Sequence, residues 1–296
     1  MAVLRKTLSD LMMSPTVHFH HLPNGEPHVH ERVSAKSHPG HRVIAVCGKG
    51  GVGKTAFSAM AAHSLMHRED AGRLLVIDAD PAFGLAYALG LPTEPNIATV
   101  REALLAAARS GEVESEREIA RELDYMVFES LVETEGFAFL SMGRSRDLGC
   151  YCAVNDLLRD AVELLVNEFD TVLIDGEAGL EQINRQVVAS VDDLIVVSDG
   201  SLRGWKTVTS VVEMAAEHGL VPEDRIHLVL NRQDGQVDVE ALRAQGSPNL
   251  LGVIPADAEL ASFDRSGKPL TSLPHENEAS HAVWHIIDRL MGFNAS

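Results

Sequence analysis

Val43-Ile44-Ala45-Val46-Cys47-Gly48-Lys49-Gly50-Gly51-Val52-Gly53-Lys54-Thr55 is the stretch on which the fold turns. Its first five residues are apolar and partly β-branched, the signature of a buried strand, Val43–Cys47. Glycine-rich sequence follows, and then an amphipathic helical pattern over Lys54–His67. A strand, a glycine loop and a helix in this order build an anion site. The loop glycines let backbone N–H groups turn inward on a phosphate, and the helix N-terminus adds its dipole. The spacing Gly48-x4-Gly53-Lys54-Thr55 assigns Lys54 to the β- and γ-phosphates and Thr55 to a Mg²⁺ ion. The bland alternative is an ordinary glycine-rich turn.

Two further strand ends carry acids. Leu74-Leu75-Val76-Ile77-Asp78-Ala79-Asp80 and Thr171-Val172-Leu173-Ile174-Asp175 each read as a buried parallel strand that delivers carboxylates to the carboxyl edge of a sheet, where such folds bind ligands. Asp175 is the natural Mg²⁺-side acid of this kind of site. The remaining strand patterns are Tyr125–Glu129, Ala138–Met142, Asp193–Val197, Ile226–Leu230 and Leu250–Val253, with Glu133–Gly136 as a hairpin turn. Helical patterns cover Thr99–Ala108, Val154–Asn167, Leu180–Ala189, Lys206–His218, Val239–Ala244 and His281–Met291. This alternation predicts an α/β fold, a mostly parallel central sheet flanked by helices in a single domain, residues 41–296.

Bulk properties narrow the function. The 296 residues are 45% hydrophobic with mean hydropathy +0.01, sufficient for one large core. No apolar run reaches membrane-spanning length, and no signal-peptide pattern opens the chain. The net charge is −18, which argues against both nucleic acid and anionic membrane as partners. Three cysteines, Cys47, Cys150 and Cys152, make no disulfide framework and predict a reducing, cytoplasmic setting.

Lys49, directly after the first glycine, gives the loop the form Lys-Gly-Gly-Val-Gly-Lys-Thr. It resembles the deviant Walker A motif of the MinD/ParA/nitrogenase-Fe-protein class, over roughly Arg42 to Met291. That resemblance implies a SIMIBI-like P-loop NTPase fold and a homodimer closed by ATP, with Lys49 crossing to the partner's nucleotide. It implies nucleotide contacts from Gly48, Gly50, Gly51, Val52, Gly53, Lys54, Thr55, Ala56, Asn231 and Pro255. Asp80 would orient the attacking water, so that Lys49, Lys54 and Asp80 serve catalysis, and Thr55 with Asp175 would serve Mg²⁺.

Cys150-Tyr151-Cys152 precedes a predicted helix. Two thiolates rarely chelate alone, but a dimer axis beside them would assemble four sulfurs, a set for Zn²⁺, Ni²⁺ or an iron–sulfur cluster. The bland alternative is two small residues at a helix start. Gly149–Arg159 and Asp175-Gly176-Glu177-Ala178-Gly179-Leu180-Glu181 resemble the CooC-type nickel-insertion ATPases, apart from Gly176 for Thr and Gln182 for His. The resemblance implies metal binding by Cys150 and Cys152 and a carbon monoxide dehydrogenase-like nickel enzyme as client. Competing classes are a MinD/ParA-type positioning ATPase and a nitrogenase-Fe-protein-like reductase. Residues 1–40 form a His-rich extension, either disordered or a hairpin about Asn24-Gly25 that sets His21 opposite His28 and Phe19 opposite His30.

Overall fold

The first strand, β1 (Arg42–Cys47), is buried along its whole length, and its alternating side chains divide the core. Val43, Ala45 and Cys47 join one apolar cluster and Ile44 and Val46 the other, the two-sided burial expected of a central parallel strand. This is a computed structural model, which describes residues 41–110, 116–144, 152–177, 187–188, 190–235, 237–238, 240, 242, 247–274 and 276–292.

Seven strands follow: β2 (Leu74–Asp78), β3 (Val132–Glu133), β4 (Ala138–Ser141), β5 (Thr171–Asp175), β6 (Asp193–Ser198), β7 (Ile226–Gln233) and β8 (Asn249–Pro255). They form one sheet in the order β3-β4-β2-β5-β1-β6-β7-β8. Every pairing is parallel except the short β3–β4 hairpin. The helices are α1 (Lys54–Leu65), α2 (Gly84–Leu89), α3 (Ile97–Ser110), α4 (Glu116–Glu129), α5 (Cys152–Val166), α6 (Leu202–His218), α7 (Ala258–Ser266) and α8 (Glu278–Gly292). Residues of α3, α4, α5 and α6 cover one face, and those of α1, α2 and α8 the other. The architecture is the α/β fold expected, helices on both sides of a mostly parallel sheet.

One strand expectation fails. Tyr125–Glu129 is the last part of α4, not a strand. A short apolar run such as Tyr125-Met126-Val127-Phe128 fits either period. Burial decides for the helix: Leu123 and Val127 are buried four residues apart while Tyr125 is 50% exposed. The hairpin is nevertheless formed, with Val132–Glu133 as its first strand and Thr134 bonded across the turn to Phe137. The predicted helix Leu180–Ala189 lies mostly outside the described residues.

Opposite the carboxyl edge, a buried ionic cluster ties the sheet together. Asp193 accepts from Arg42 Nε at 2.7 Å, pairs with His227 Nε2 at 2.9 Å and lies 3.5 Å from Arg225. Arg42 also donates to the Leu290 carbonyl, which anchors the end of α8. These partners outweigh burial and hold the Asp193 carboxyl below its ordinary range.

Candidate active site

The sheet's parallel register brings the acids together. Val46 of β1 is level with Asp175 of β5, and Asp175 with Asp78 of β2. The loop Gly48–Gly53 leaves β1 beside them. Gly48 has φ +144, and a Cβ there would stand 2.2 Å from the Val197 carbonyl oxygen, so only glycine lets the loop turn against β6. Gly53, at φ +93, is the N-cap of α1 and gives that helix no side-chain cap. Its first-turn N–H groups, including those of Lys54, Thr55 and Ala56, therefore point at the loop with their dipole uncompensated.

The cations around the loop bond to protein oxygens. Lys54 Nζ donates to the Lys49 carbonyl at 3.4 Å, and Lys49 Nζ pairs with Asp199 at 3.4 Å. Arg232 reaches from the end of β7 to the Gly51 carbonyl at 3.1 Å, and Asn231 Nδ2 donates to the Val52 carbonyl at 2.7 Å. Arg232 holds a left-handed φ of 58, uncommon for a side chain of its size and typical of functional loops. Gln233 Nε2 donates both to the Asn231 carbonyl and to the Asp199 carbonyl. The end of β7 thus grips two loop carbonyls and the residue that pairs with Lys49.

Asp175 is 1% exposed. Ser58 Oγ donates to its Oδ1 at 2.8 Å, while Oδ2 is buried without a hydrogen-bond partner. Burial pushes its pKa up to about 6, against the pull of the Ser58 and Thr55 hydroxyls and the Lys54 charge. An unsatisfied, buried carboxylate oxygen beside a threonine hydroxyl and a lysine is a donor set that suits a hard cation. Thr55 and Asp175 would hold Mg²⁺, which when bound neutralises phosphate charge.

Asp78 and Asp80 divide differently from the expectation that Asp80 ends the strand. The strand ends at Asp78, which is fully buried. Its Oδ2 accepts from the N–H groups of Leu85 and Ala86 at 3.0 and 3.1 Å, in the first turn of α2. Burial and the neighbouring Asp175 and Asp80 push its pKa up to about 7, against those bonds. Asp80 stands two residues on, half-buried, with Oδ1 accepting from the Ala82 N–H. Pro255 closes β8 in register with Gln233 of β7.

Sequence reasoning passed over Ser58, Asp199 and Arg232. Ser58 stands four residues after Lys54, on the same face of a helix, and Asp199 follows a buried parallel strand just as Asp80 does. Both signals were present. Arg232 had none beyond its adjacency to Asn231.

Cys152 is the first residue of α5, and Cys150 lies outside the described residues. A crossover helix runs antiparallel to the strands it joins, so α5 begins at the carboxyl edge of the sheet, the edge that carries the phosphate loop. Among the described residues no group of three or more His, Cys, Asp or Glu could hold a metal ion, and no helix is long and apolar enough to cross a membrane. Cys47 is buried and its thiol is pushed up to about 12, the behaviour of a core residue and not of a ligand.

Comparison with known proteins agrees with this geometry. A model of the AAA domain family (AAA_31) matches residues 41–221. The ATP-binding protein MJ0685 of Methanocaldococcus jannaschii is 35% identical over 254 residues, 84% of this chain and 98% of that protein. The carbon monoxide dehydrogenase accessory protein CooC of Rhodospirillum rubrum is 31% identical over 251 residues, 81% of this chain and 94% of that one. Among solved structures, the cell division ATPase MinD of Pyrococcus furiosus superposes with a TM-score of 0.61 at 22% identity, covering 85% of this chain and 99% of MinD, and so shares the fold. A phosphate loop on an uncapped helix, a buried acid with an unsatisfied oxygen and relatives matched along nearly their whole length lead to one assignment: the chain belongs to the AAA_31 family of P-loop ATPases and is an ATPase.

Proposed function

We propose that this ATPase is a cytoplasmic metallochaperone that dimerises with ATP and metal and inserts nickel into a carbon monoxide dehydrogenase-like enzyme. One observation carries the reading. The chain combines Lys49 in its phosphate loop with Cys150-Tyr151-Cys152, whose last residue opens α5, and it does so while being 31% identical to a carbon monoxide dehydrogenase accessory protein. Two copies would bring four thiolates to a shared axis, where Ni²⁺ or Zn²⁺ binds. Lys49 of each copy would leave Asp199 for the other copy's ATP. That ion pair is about one-third exposed on both sides and is easily exchanged. Asp80 would orient the attacking water, Asn231 and Pro255 would flank the base, and hydrolysis would time dimer opening. The His-rich residues 1–40 would be a separate extension to this domain.

The test is metal content and mass on the same anaerobic samples, with and without Ni²⁺ and a non-hydrolysable ATP analogue. The expected result is one Zn²⁺ or Ni²⁺ per dimer, lost when Cys150 and Cys152 are both changed to Ser, with nucleotide binding by the monomer retained. A double variant that keeps one tight metal per dimer after deletion of residues 1–38 would refute the reading.

A positioning ATPase is the second reading, favoured by relatives such as the septum site-determining protein MinD of Synechocystis, 26% identical over 266 residues. It gives no role to the cysteine pair. The apolar face of α8, with Val283, Ile286, Ile287 and Leu290, is buried in the core and so is not presented to a lipid surface.

A further inference from the structure

Fourteen histidines occur in the chain, and four of them form two i, i+4 pairs, one at and just beyond the end of α1 and one on α8, two helices that share one face of the sheet. His63 lies in the last turn of α1 and His67 two residues past its end, in the turn that follows, while His281 and His285 lie on α8 around Trp284. We propose that His63 and His67 form a surface metal site, an open two-imidazole chelate for a late first-row divalent cation such as Ni²⁺, Cu²⁺ or Zn²⁺. The proposal does not depend on the nickel-delivery reading, because it rests on the rings themselves.

The spacing fits the chemistry. A metal held at about 2.0–2.1 Å from an imidazole nitrogen stands about 3.2 Å from the ring centre, so two rings bound at 90–110° have centres about 4.5–5.2 Å apart. The His63 and His67 ring centres are 4.9 Å apart. The α8 pair, at 5.8 Å, is too wide without rotation. The tautomer of His67 is also set. Its Nδ1 lies 2.8 Å from the His63 carbonyl oxygen, which can only accept. Nδ1 therefore carries the proton and Nε2 the lone pair, the arrangement by which a backbone carbonyl orients a metal-binding imidazole. His67 is exposed, and the next residue, Arg68, has its charge balanced by Asp70 and by Asp288 of α8. Neutral nitrogen ligands select late transition ions over Mg²⁺, so the ATP-site cation does not compete. Two protein ligands leave the other positions to water or to a ligand from a partner, which makes the site one of exchange and not of storage.

Trp284 provides the readout, since its ring centre is 5.7 Å from that of His67 and 6.2 Å from that of His63. The chain has two tryptophans. In the full-length protein carrying Trp205→Phe, Cys150→Ser and Cys152→Ser, Trp284 fluorescence is titrated with Ni²⁺ and with Cu²⁺ in excess Mg²⁺. The expected result is saturable quenching reversed by EDTA. Loss of one ring turns a chelate into a single contact, so His67→Asn should weaken the apparent affinity about a hundredfold. Circular dichroism checks the fold, and because His67 is exposed that single variant reads the site even where His63→Asn unfolds. Absence of saturable quenching, an unchanged titration in His67→Asn, or loss of quenching only in His281→Asn/His285→Asn would overturn the assignment. Because the thiolates are absent throughout, this result is separate from that of the cysteine-pair experiment.

Discussion

Asp175→Asn should stabilise the nucleotide-free protein at neutral pH while removing its use of MgATP. The Asp175 carboxyl titrates at about 6 in the fold, against an ordinary 3.8. Between these values the folded protein keeps a proton that the unfolded chain has lost. Wild-type stability therefore falls as pH rises through that window and levels off above it. Two pKa units correspond to about 3 kcal/mol, an upper figure because the Asn amide must still find a partner for its N–H₂ beside Ser58. Asn does not titrate, so the variant escapes this loss. It should exceed wild type by about 1–3 kcal/mol at pH 7.5, a few degrees in Tm for a chain of this length, with the gap closing toward pH 4.5. Asp78 also titrates high, at about 7, but it is present in both proteins, and subtraction removes all of its effect except its coupling to the Asp175 charge. Urea unfolding of both proteins in EDTA at the two pH values measures the gap. Added MgATP should then raise the stability of wild type and leave the variant unchanged. A variant less stable than wild type at pH 7.5, or a gap independent of pH, would show that the Asp175 carboxylate is not a strained, unsatisfied charge.

Lys54→Ala should abolish tight ATP binding, a loss of several kcal/mol, measured by equilibrium binding of a labelled nucleotide. Asp80→Ala should bind ATP but hydrolyse it about a hundredfold or more slowly in a phosphate-release assay; an unchanged rate would remove Asp80 from the water-orienting role. Arg42→Leu strips the closest cation from the buried Asp193 and should cost about 3–5 kcal/mol in denaturant titration. Since Asp193 titrates below its ordinary value, the stability it lends wild type is present above pH 4 and fades as acid protonates it, so the two proteins should converge there.

The parts of this molecule that could be read in advance are those in which one local rule dominates. β1, β2, β5 and β6 are buried on both faces and each carries an unbroken apolar run, and glycine spacing marks the phosphate loop. The error at Tyr125–Glu129 came from four apolar residues whose helical partner, Leu123, lies outside the run. The short helices α2 and α7 have little periodicity of their own. α2 follows an N-cap residue, Phe83, in a left-handed conformation, and the carboxylate of Asp78 accepts from its first turn. Such a cap comes from another strand and leaves no mark within the helix sequence. Arg232 was missed for the same reason, because its importance comes from what the sheet order places beside it, whereas Asp199 carried the same strand-end signal as Asp80.

That placement separates the duties of the two loop lysines. Lys54 donates to a neutral carbonyl within its own loop, a bond that a triphosphate's negative oxygens readily displace, since a charged acceptor strengthens the contact about twofold. Lys49 faces a carboxylate, Asp199, whose own position is fixed by Ser201 and by the Gln233 amide on its carbonyl. An ATP bound within one chain therefore meets Lys54 freely but gains less from Lys49, whose release leaves Asp199 without its cation. On the proposed reading that exchange becomes favourable when a second copy offers its phosphates at close range and excludes water from the pair, raising the worth of each charge contact. On that reading binding would belong to the single chain and catalysis to the dimer. The end of β7 holds loop carbonyls through Asn231 and Arg232 and the Asp199 carbonyl through Gln233, and so touches the surroundings of both lysines.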